Sequence, residues 1–238
     1  MIPKKIHYIW FGGNPKNDLI KRCIASWKQY MPDYEIIEWN ENNADLSQCS
    51  FAQDAYQAKK WAYVSDYVRF KVLAEQGGVY MDTDVELLKP IPENILAHTA
   101  FTGLELNGTL SPGCIYGCIS QDPIAVKMVA HYQEATFDSE HLVSVNDRMM
   151  VLLGKDAPLQ QKIQVIEGLS VYPWQYFSSY DQDVKEICIK PESIAVHHYL
   201  GTWVHPTLKR RIQNVLKKHL GVEGYRKVLH GIRKIRRK

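Results

Sequence analysis

One stretch, residues 62–86, constrains the fold more than any other. It reads Ala62-Tyr-Val-Ser-Asp66-Tyr-Val-Arg69 and then Gly77-Gly-Val-Tyr-Met-Asp82-Thr-Asp84. On a helix, Ala62, Asp66, Arg69 and Leu73 recur at i, i+4, i+7 and i+11 and make a single stripe. An acid and a base therefore project from one face, beside a small residue that permits close approach. Gly77-Gly78 stops the helix, as a glycine just past the last turn does. Val79-Tyr80-Met81 is then a short apolar strand that runs directly into Asp82 and Asp84. Ligands of open α/β sheets bind beyond the carboxyl ends of strands. Two carboxylates at such a point suit a hard divalent cation with oxygen ligands. A cation there offsets the charge of a diphosphate and stabilises it as a leaving group. Asp-X-Asp alone is also a common surface turn, and Asp66 with Arg69 alone is an i,i+3 surface pair worth little. Their combination with the Gly-Gly turn is what points to a site.

The surrounding sequence supplies an α/β frame. Ile6 to Phe11 predicts a strand ended by Gly12-Gly13. Asp18 to Tyr30 carries Leu19, Ile20, Cys23, Ile24 and Trp27 on a helical repeat, and Tyr34 to Trp39 is a second strand. A strand–helix–strand opening points to parallel strands. Residues 52–76 are helical with a break near Lys59, and Val85 to Leu88 is extended. Residues 122–135 and 145–154 are helical candidates, Ile163–Ile166 and Ile187–Ile189 strand candidates, and 100–120 holds short β-like runs between Gly and Pro.

Net charge, +3 over 238 residues, conceals a division. Lys209 to Lys238 holds twelve Lys or Arg against one acid, Glu223, while residues 1–208 sum to −8. Residues 1–206 are expected to form the α/β domain and 207–238 a basic helical tail. Leu208, Ile212, Val215, Leu216 and Leu220, then Tyr225, Val228, Leu229, Ile232 and Ile235, give that tail an apolar stripe suited to an anionic membrane surface. Nucleic-acid binding and simple docking on the domain are the other uses of such a tail. No run of about 18 apolar residues is present, so no spanning helix is expected. The first residues lack the pattern of a secretory signal. With five cysteines, an odd number, reduced thiols in the cytoplasm are expected, and Cys114 and Cys118 read as buried small hydrophobes.

Ala62–Glu86 resembles the Asp-X-Asp sugar-binding region of glycosyltransferase family 32, a group related to yeast initiating mannosyltransferase and bacterial capsule and lipooligosaccharide transferases. Ile2 to Gly12, then Trp27, Pro32, Tyr34 and Trp39, resemble the family's opening, and Val196-His-His-Tyr-Leu-Gly-Thr-Trp203 its terminal His-containing motif. The resemblance implies a GT-A-like, Rossmann-related mixed sheet flanked by helices. It also implies retaining transfer of a hexose from a nucleotide-diphosphate sugar, a UDP-sugar favoured, with Mn2+ or Mg2+. A glycan acceptor follows, one carried on a lipid being expected, in surface polysaccharide synthesis at the inner face of the cell membrane. By the same resemblance Trp10, Ala62 and Trp203 line the nucleotide-sugar site, and Asp66 and Arg69 hold the sugar. Asp82 bridges ribose and metal, Asp84 ligates the metal, and His197 or His198 completes the coordination. Only one of two adjacent strand histidines can face the site, and the spacing to Trp203 favours His197. No nucleic-acid partner is expected; the rival function is a non-catalytic membrane- or nucleic-acid-binding protein. Glu105, Asn107, Asn146 and Asp147 are polar candidates near the acceptor, and the aromatic run Tyr172–Phe177 is either a sugar floor or core.

Overall fold

The computed structural model describes residues 1–181 and 186–200; Trp203 and the basic run 207–238 lie outside the described residues. The chain opens with β1 (Lys5–Ile9), α1 (Asp18–Tyr30) and β2 (Glu35–Trp39). The Asn17 side chain accepts from the Ile20 amide at the start of α1 at 3.0 Å, the N-cap bond expected of Asn before a helix. Next come α2 (Ser50–Gln57) and α3 (Trp61–Gln76). The break between them falls at residues 58–60, where Lys59 takes the left-handed conformation, φ 54°, and reverses the chain.

β3 (Gly78–Met81) and β4 (Val85–Leu87) flank the two aspartates, and α4 (Glu93–Leu96) follows. After them run β5 (Ala100–Gly103), β6 (Ile115–Cys118), α5 (Pro123–Glu134), α6 (Val145–Leu152), β7 (Gln164–Ile166) and β8 (Leu169–Tyr172). The described chain ends with α7 (Trp174–Phe177), β9 (Tyr180–Asp181), β10 (Glu186–Ile187) and β11 (Ala195–His197).

Seven strands form one sheet in the order β2-β1-β3-β6-β5-β8-β7. β2, β1 and β3 are parallel, as the strand–helix–strand opening requires. β6 then runs antiparallel to both β3 and β5, β8 is parallel to β5, and β7 is antiparallel to β8. The sheet is therefore mixed. It is flanked by helices on both faces, an α/β arrangement that fits the GT-A-like fold. One core lies under α2, α3, α5 and α6 through Phe51, Val64, Phe70, Met128 and Met149. The other lies under α1, α4 and α7 through Trp27, Ile95 and Phe177. β3 divides its side chains between them, Tyr80 to the first and Val79 and Met81 to the second, as strand alternation demands.

The expected strand at 187–189 is short: among the described residues, only Glu186 and Ile187 pair, with β9. β8 and α7 had no periodic signal. Of the aromatic run, Tyr172, Trp174 and Phe177 are buried in packing and Tyr176 is half-buried against the same core, which favours core over a sugar floor. Among the described residues no helix is long and apolar enough to cross a membrane.

Candidate active site

The site is built where α3 hands over to β3. Gly77 and Gly78 have φ of 64° and 108°, conformations that side chains resist. A Cβ on Gly78 would lie 2.9 Å from both His7 Nε2 and Lys5 O, so no larger residue fits there. This tight passage delivers β3 alongside α3. Asp82 follows Met81 and falls on the Tyr80 side of the sheet, facing α3; its amide donates to Cys114 O at 3.1 Å. The chain turns over residues 82–85, with the Val85 amide donating to Asp82 O at 3.0 Å.

From α3, Asp66 and Arg69 reach this turn. They are 5% and 3% exposed, so they are not the surface pair their spacing alone allows. Arg69 Nη2 lies 2.8 Å from Asp66 Oδ1 and 3.7 Å from Asp82 Oδ1. Its Nη1 donates to Pro112 O at 3.2 Å and its Nε to Ser65 O at 3.3 Å, while the guanidinium stacks 4.4 Å over the Tyr80 ring. The Tyr80 hydroxyl donates to Asp82. Burial lifts the Asp66 carboxyl to about 6, the Arg69 charge working against that rise.

The third contribution comes from β11, which pairs antiparallel with β4 in the register His197 to Val85. That register brings His197 Nε2 to 3.3 Å from Asp84 Oδ1 and 4.0 Å from Asp82 Oδ2. Burial disfavours the imidazolium, yet Asp84 beside it holds the His197 proton on well above the usual histidine range. Burial likewise opposes the Asp84 charge, and His197 together with the Leu200 amide, 2.8 Å from Oδ2, brings its carboxyl down to about 2. Asp82 moves the other way: burial lifts it, only partly offset by Arg69. Tyr199 stacks on His197 with ring centroids 3.9 Å apart and donates its hydroxyl to Glu105.

Two carboxylates and an imidazole thus offer donor atoms all within 4.8 Å of one another. That donor set fits a divalent cation of the manganese kind better than calcium, which favours oxygen alone. His198 is not brought to this group. It lies on the other side of the β4–β11 ribbon with Nε2 2.8 Å from Glu86 Oε2, so of the two histidines only His197 faces the aspartates.

Trp10 sits just past β1, at the same sheet edge as Asp82 because β1 and β3 are parallel. It is half-buried, its Nε1 donates to Asn14 O at 2.7 Å, and Lys16 lies 5.5 Å over its ring. Ala62 is half-buried in the first turn of α3. Of the acceptor candidates, Glu105 is buried and bonded by Ser111 and Tyr199; Asn107 is exposed and accepts from the Thr109 amide in its own turn, and Asp147 is exposed and accepts from the Ser144 hydroxyl that caps α6. Asn146 differs: its Oδ1 is buried without a partner, and it lies with Arg69 Nη1 around the space a Cβ on Gly113 would enter. Arg148, two residues on, presents its charge toward Asp66. Neither α6 residue had a sequence signal beyond polarity; only the packing of α6 against α5 brings them here.

Residues 17–102 match the sequence family described as the glycosyltransferase sugar-binding region containing DXD motif. This segment runs from α1 to β5 and holds Asp66, Arg69, Asp82 and Asp84. The match supports a glycosyltransferase. Subversion of eukaryotic traffic protein A of Legionella pneumophila is 26% identical over 128 residues, covering 42% of this chain and 20% of that protein. The chain therefore spans about a fifth of the length of that relative. Among solved structures, PaToxG glycosyltransferase is similar at 19% identity and a TM-score of 0.49, over 64% of this chain and 68% of that one. A glycosyltransferase involved in the glycosylation of the major capsid of PBCV-1 gives 11% identity and a TM-score of 0.48, over 91% and 100% of the two chains.

Proposed function

We propose that this chain is a metal-dependent glycosyltransferase that moves a hexose from a nucleotide-diphosphate sugar, a UDP-sugar favoured, to a glycan acceptor. The observation that carries the reading is the meeting of Asp82, Asp84 and His197 beside the buried Asp66–Arg69 pair, at the carboxyl end of β3. Asp82, Asp84 and His197 would hold Mn2+ or Mg2+, which when bound offsets the diphosphate charge and makes it a better leaving group. To take that role His197 gives up the proton that Asp84 now keeps on it.

Arg69 is locked by four partners and cannot swing, so its charge is pre-positioned beside Asp82. Asp66, anchored through one oxygen, offers the other to sugar hydroxyls; Asn146 Oδ1, buried and unpartnered, offers a second acceptor for the same ring. Trp10 at the shared edge presents an aromatic face for the base. Membership of glycosyltransferase family 32, retention of anomeric configuration, a lipid-linked acceptor in surface polysaccharide synthesis and attachment of the basic 207–238 run to the inner membrane face belong to the same proposal.

The test combines stability and turnover. Mn2+ with UDP should raise the unfolding free energy by about 2.7 kcal/mol at a hundredfold excess over Kd, and neither alone should do so. Asp84→Asn keeps the shape and the Leu200 bond while removing the charge. It should lower sugar-nucleotide turnover by more than about 100-fold, beyond the 10–100-fold typical of second-shell changes around a metal. Turnover retained in that variant, or no stabilisation by any nucleotide diphosphate, would overturn the assignment.

A further inference from the structure

The β4–β11 ribbon has a second face, and its chemistry differs from the first. His198, Glu86 of β4 and Cys23 of α1 offer an imidazole nitrogen, a carboxylate oxygen and a thiol sulfur within 4.8 Å of one another. α1 is held against β4 at this point, Trp27 Nε1 donating to Val85 O at 2.8 Å and the Leu87 amide donating to Ser26 Oγ at 2.9 Å. The placement of the sulfur is therefore set by two α1 side chains that bond the β4 backbone on either side of Glu86.

Cys23 is fully buried, and its thiol stands apart from the other buried cysteines. Cys49, Cys114 and Cys118 each donate to a backbone carbonyl, at 3.4, 3.8 and 3.8 Å. Among the described residues Cys23 Sγ makes no hydrogen bond and faces Glu86 and His198 instead. Glu86 is fixed from outside by Arg22, whose Nε and Nη2 each lie 3.2 Å from a carboxylate oxygen. An orienting partner of this kind is what metal-ligating carboxylates commonly have.

We propose that Cys23, Glu86 and His198 form a second metal site, selective for a thiophilic borderline cation and occupied by Zn2+. One sulfur, one nitrogen and one oxygen donor, with a fourth position left for water, are a zinc set and a poor one for Mg2+ or Mn2+. Binding releases the Cys23 proton to solvent and forms the S–Zn bond; thiolate and carboxylate together neutralise the ion. On loading, the direct His198–Glu86 contact of 2.8 Å opens to admit the ion, Zn–S then being about 2.3 Å and Zn–N about 2.0 Å. The site would act as a clamp, tying α1 and β4 to the residue next to His197. It stands or falls independently of whether the aspartates on the other face turn over a nucleotide sugar.

The experiment uses Co2+ as a spectroscopic stand-in on the full chain after chelator treatment. One equivalent should give a thiolate-to-cobalt charge-transfer band in the near ultraviolet, abolished by Zn2+. The Asp84→Asn chain should keep the band and the Cys23→Ser chain should lose it. Because Cys23 is buried, Glu86→Gln serves as a second variant that leaves the thiol in place; it should raise the Co2+ needed for half the band at least tenfold. No band in the intact chain overturns the proposal. So does a band that survives Cys23→Ser, which would assign the sulfur elsewhere, or a titration unchanged by Glu86→Gln.

Discussion

His7 makes the stability of this fold acid-sensitive in a way that can be worked from its contacts. The ring is fully buried between β2 and the turn that feeds β3. Gly77 O, 2.9 Å from Nε2, can only accept, so Nε2 carries the proton; Trp39 Nε1 donates to Nδ1 at 3.1 Å, so Nδ1 carries none. Neutral imidazole is thus the only form that satisfies both neighbours. Burial, against the pull of the Gly77 carbonyl, brings the His7 pKa down from 6.5 to about 4. As pH falls below 6.5 the unfolded chain takes up a proton that the folded chain refuses. The stability His7 contributes above 6.5 is therefore lost progressively down to about 4, and amounts to about 3 kcal/mol. Asp66 works in the opposite sense. Its carboxyl, lifted to about 6, contributes stability at acid pH that is lost as pH rises through that value. A comparison of two proteins that share Asp66 removes that contribution.

His7→Gln supplies the comparison, because the amide can still donate to Gly77 O but does not titrate. At pH 7 it should be less stable by about 1 kcal/mol, the cost of leaving Trp39 Nε1 unpaired. By pH 4 the order should reverse, leaving the variant ahead by about 2 kcal/mol. Urea unfolding at half-unit pH steps reads the difference, provided the two chains share a denaturant slope. A gap that stays constant from pH 7 to 4 would refute the neutral, acid-refusing His7.

Two further outcomes concern packing. Arg69→Met should destabilise by about 3–5 kcal/mol, because it strands the buried Asp66 carboxylate. Adding Asp66→Asn should restore part of that loss; a double-variant unfolding energy equal to the sum of the singles would show the two groups uncoupled. Gly117→Ala should cost about 1–3 kcal/mol or more, since overpacking a strand core has nowhere to relax. Its Cβ would fall 2.2 Å from Phe101 Cε1, and Phe101→Leu in the same chain should recover stability by thermal unfolding.

The local parts of this structure were legible in the residues. α1 follows from Asn17, the apolar repeat and the Pro32 that ends it. α3, its stop at Gly77 and the strand that runs into Asp82 follow from periodicity and glycine placement. All are short-range effects, decided by backbone sterics and side chains within a few residues of one another. The Asp66–Arg69 stripe was likewise visible, but its burial was not: as a sequence it is equally an exposed i,i+3 pair, and only α5, α6 and the sheet closing around α3 take it from water.

What the tertiary structure alone decided is pairing across long separations. The antiparallel insertion of β6 between β3 and β5, and the existence of β8, depend on partners far away along the chain, and short apolar runs carry no address. The same holds for the two histidines. Side-chain alternation states that His197 and His198 must face opposite ways, but not which way. The register of β11 on β4 makes that choice, setting His197 against Asp84 and turning His198 toward Glu86 and Cys23.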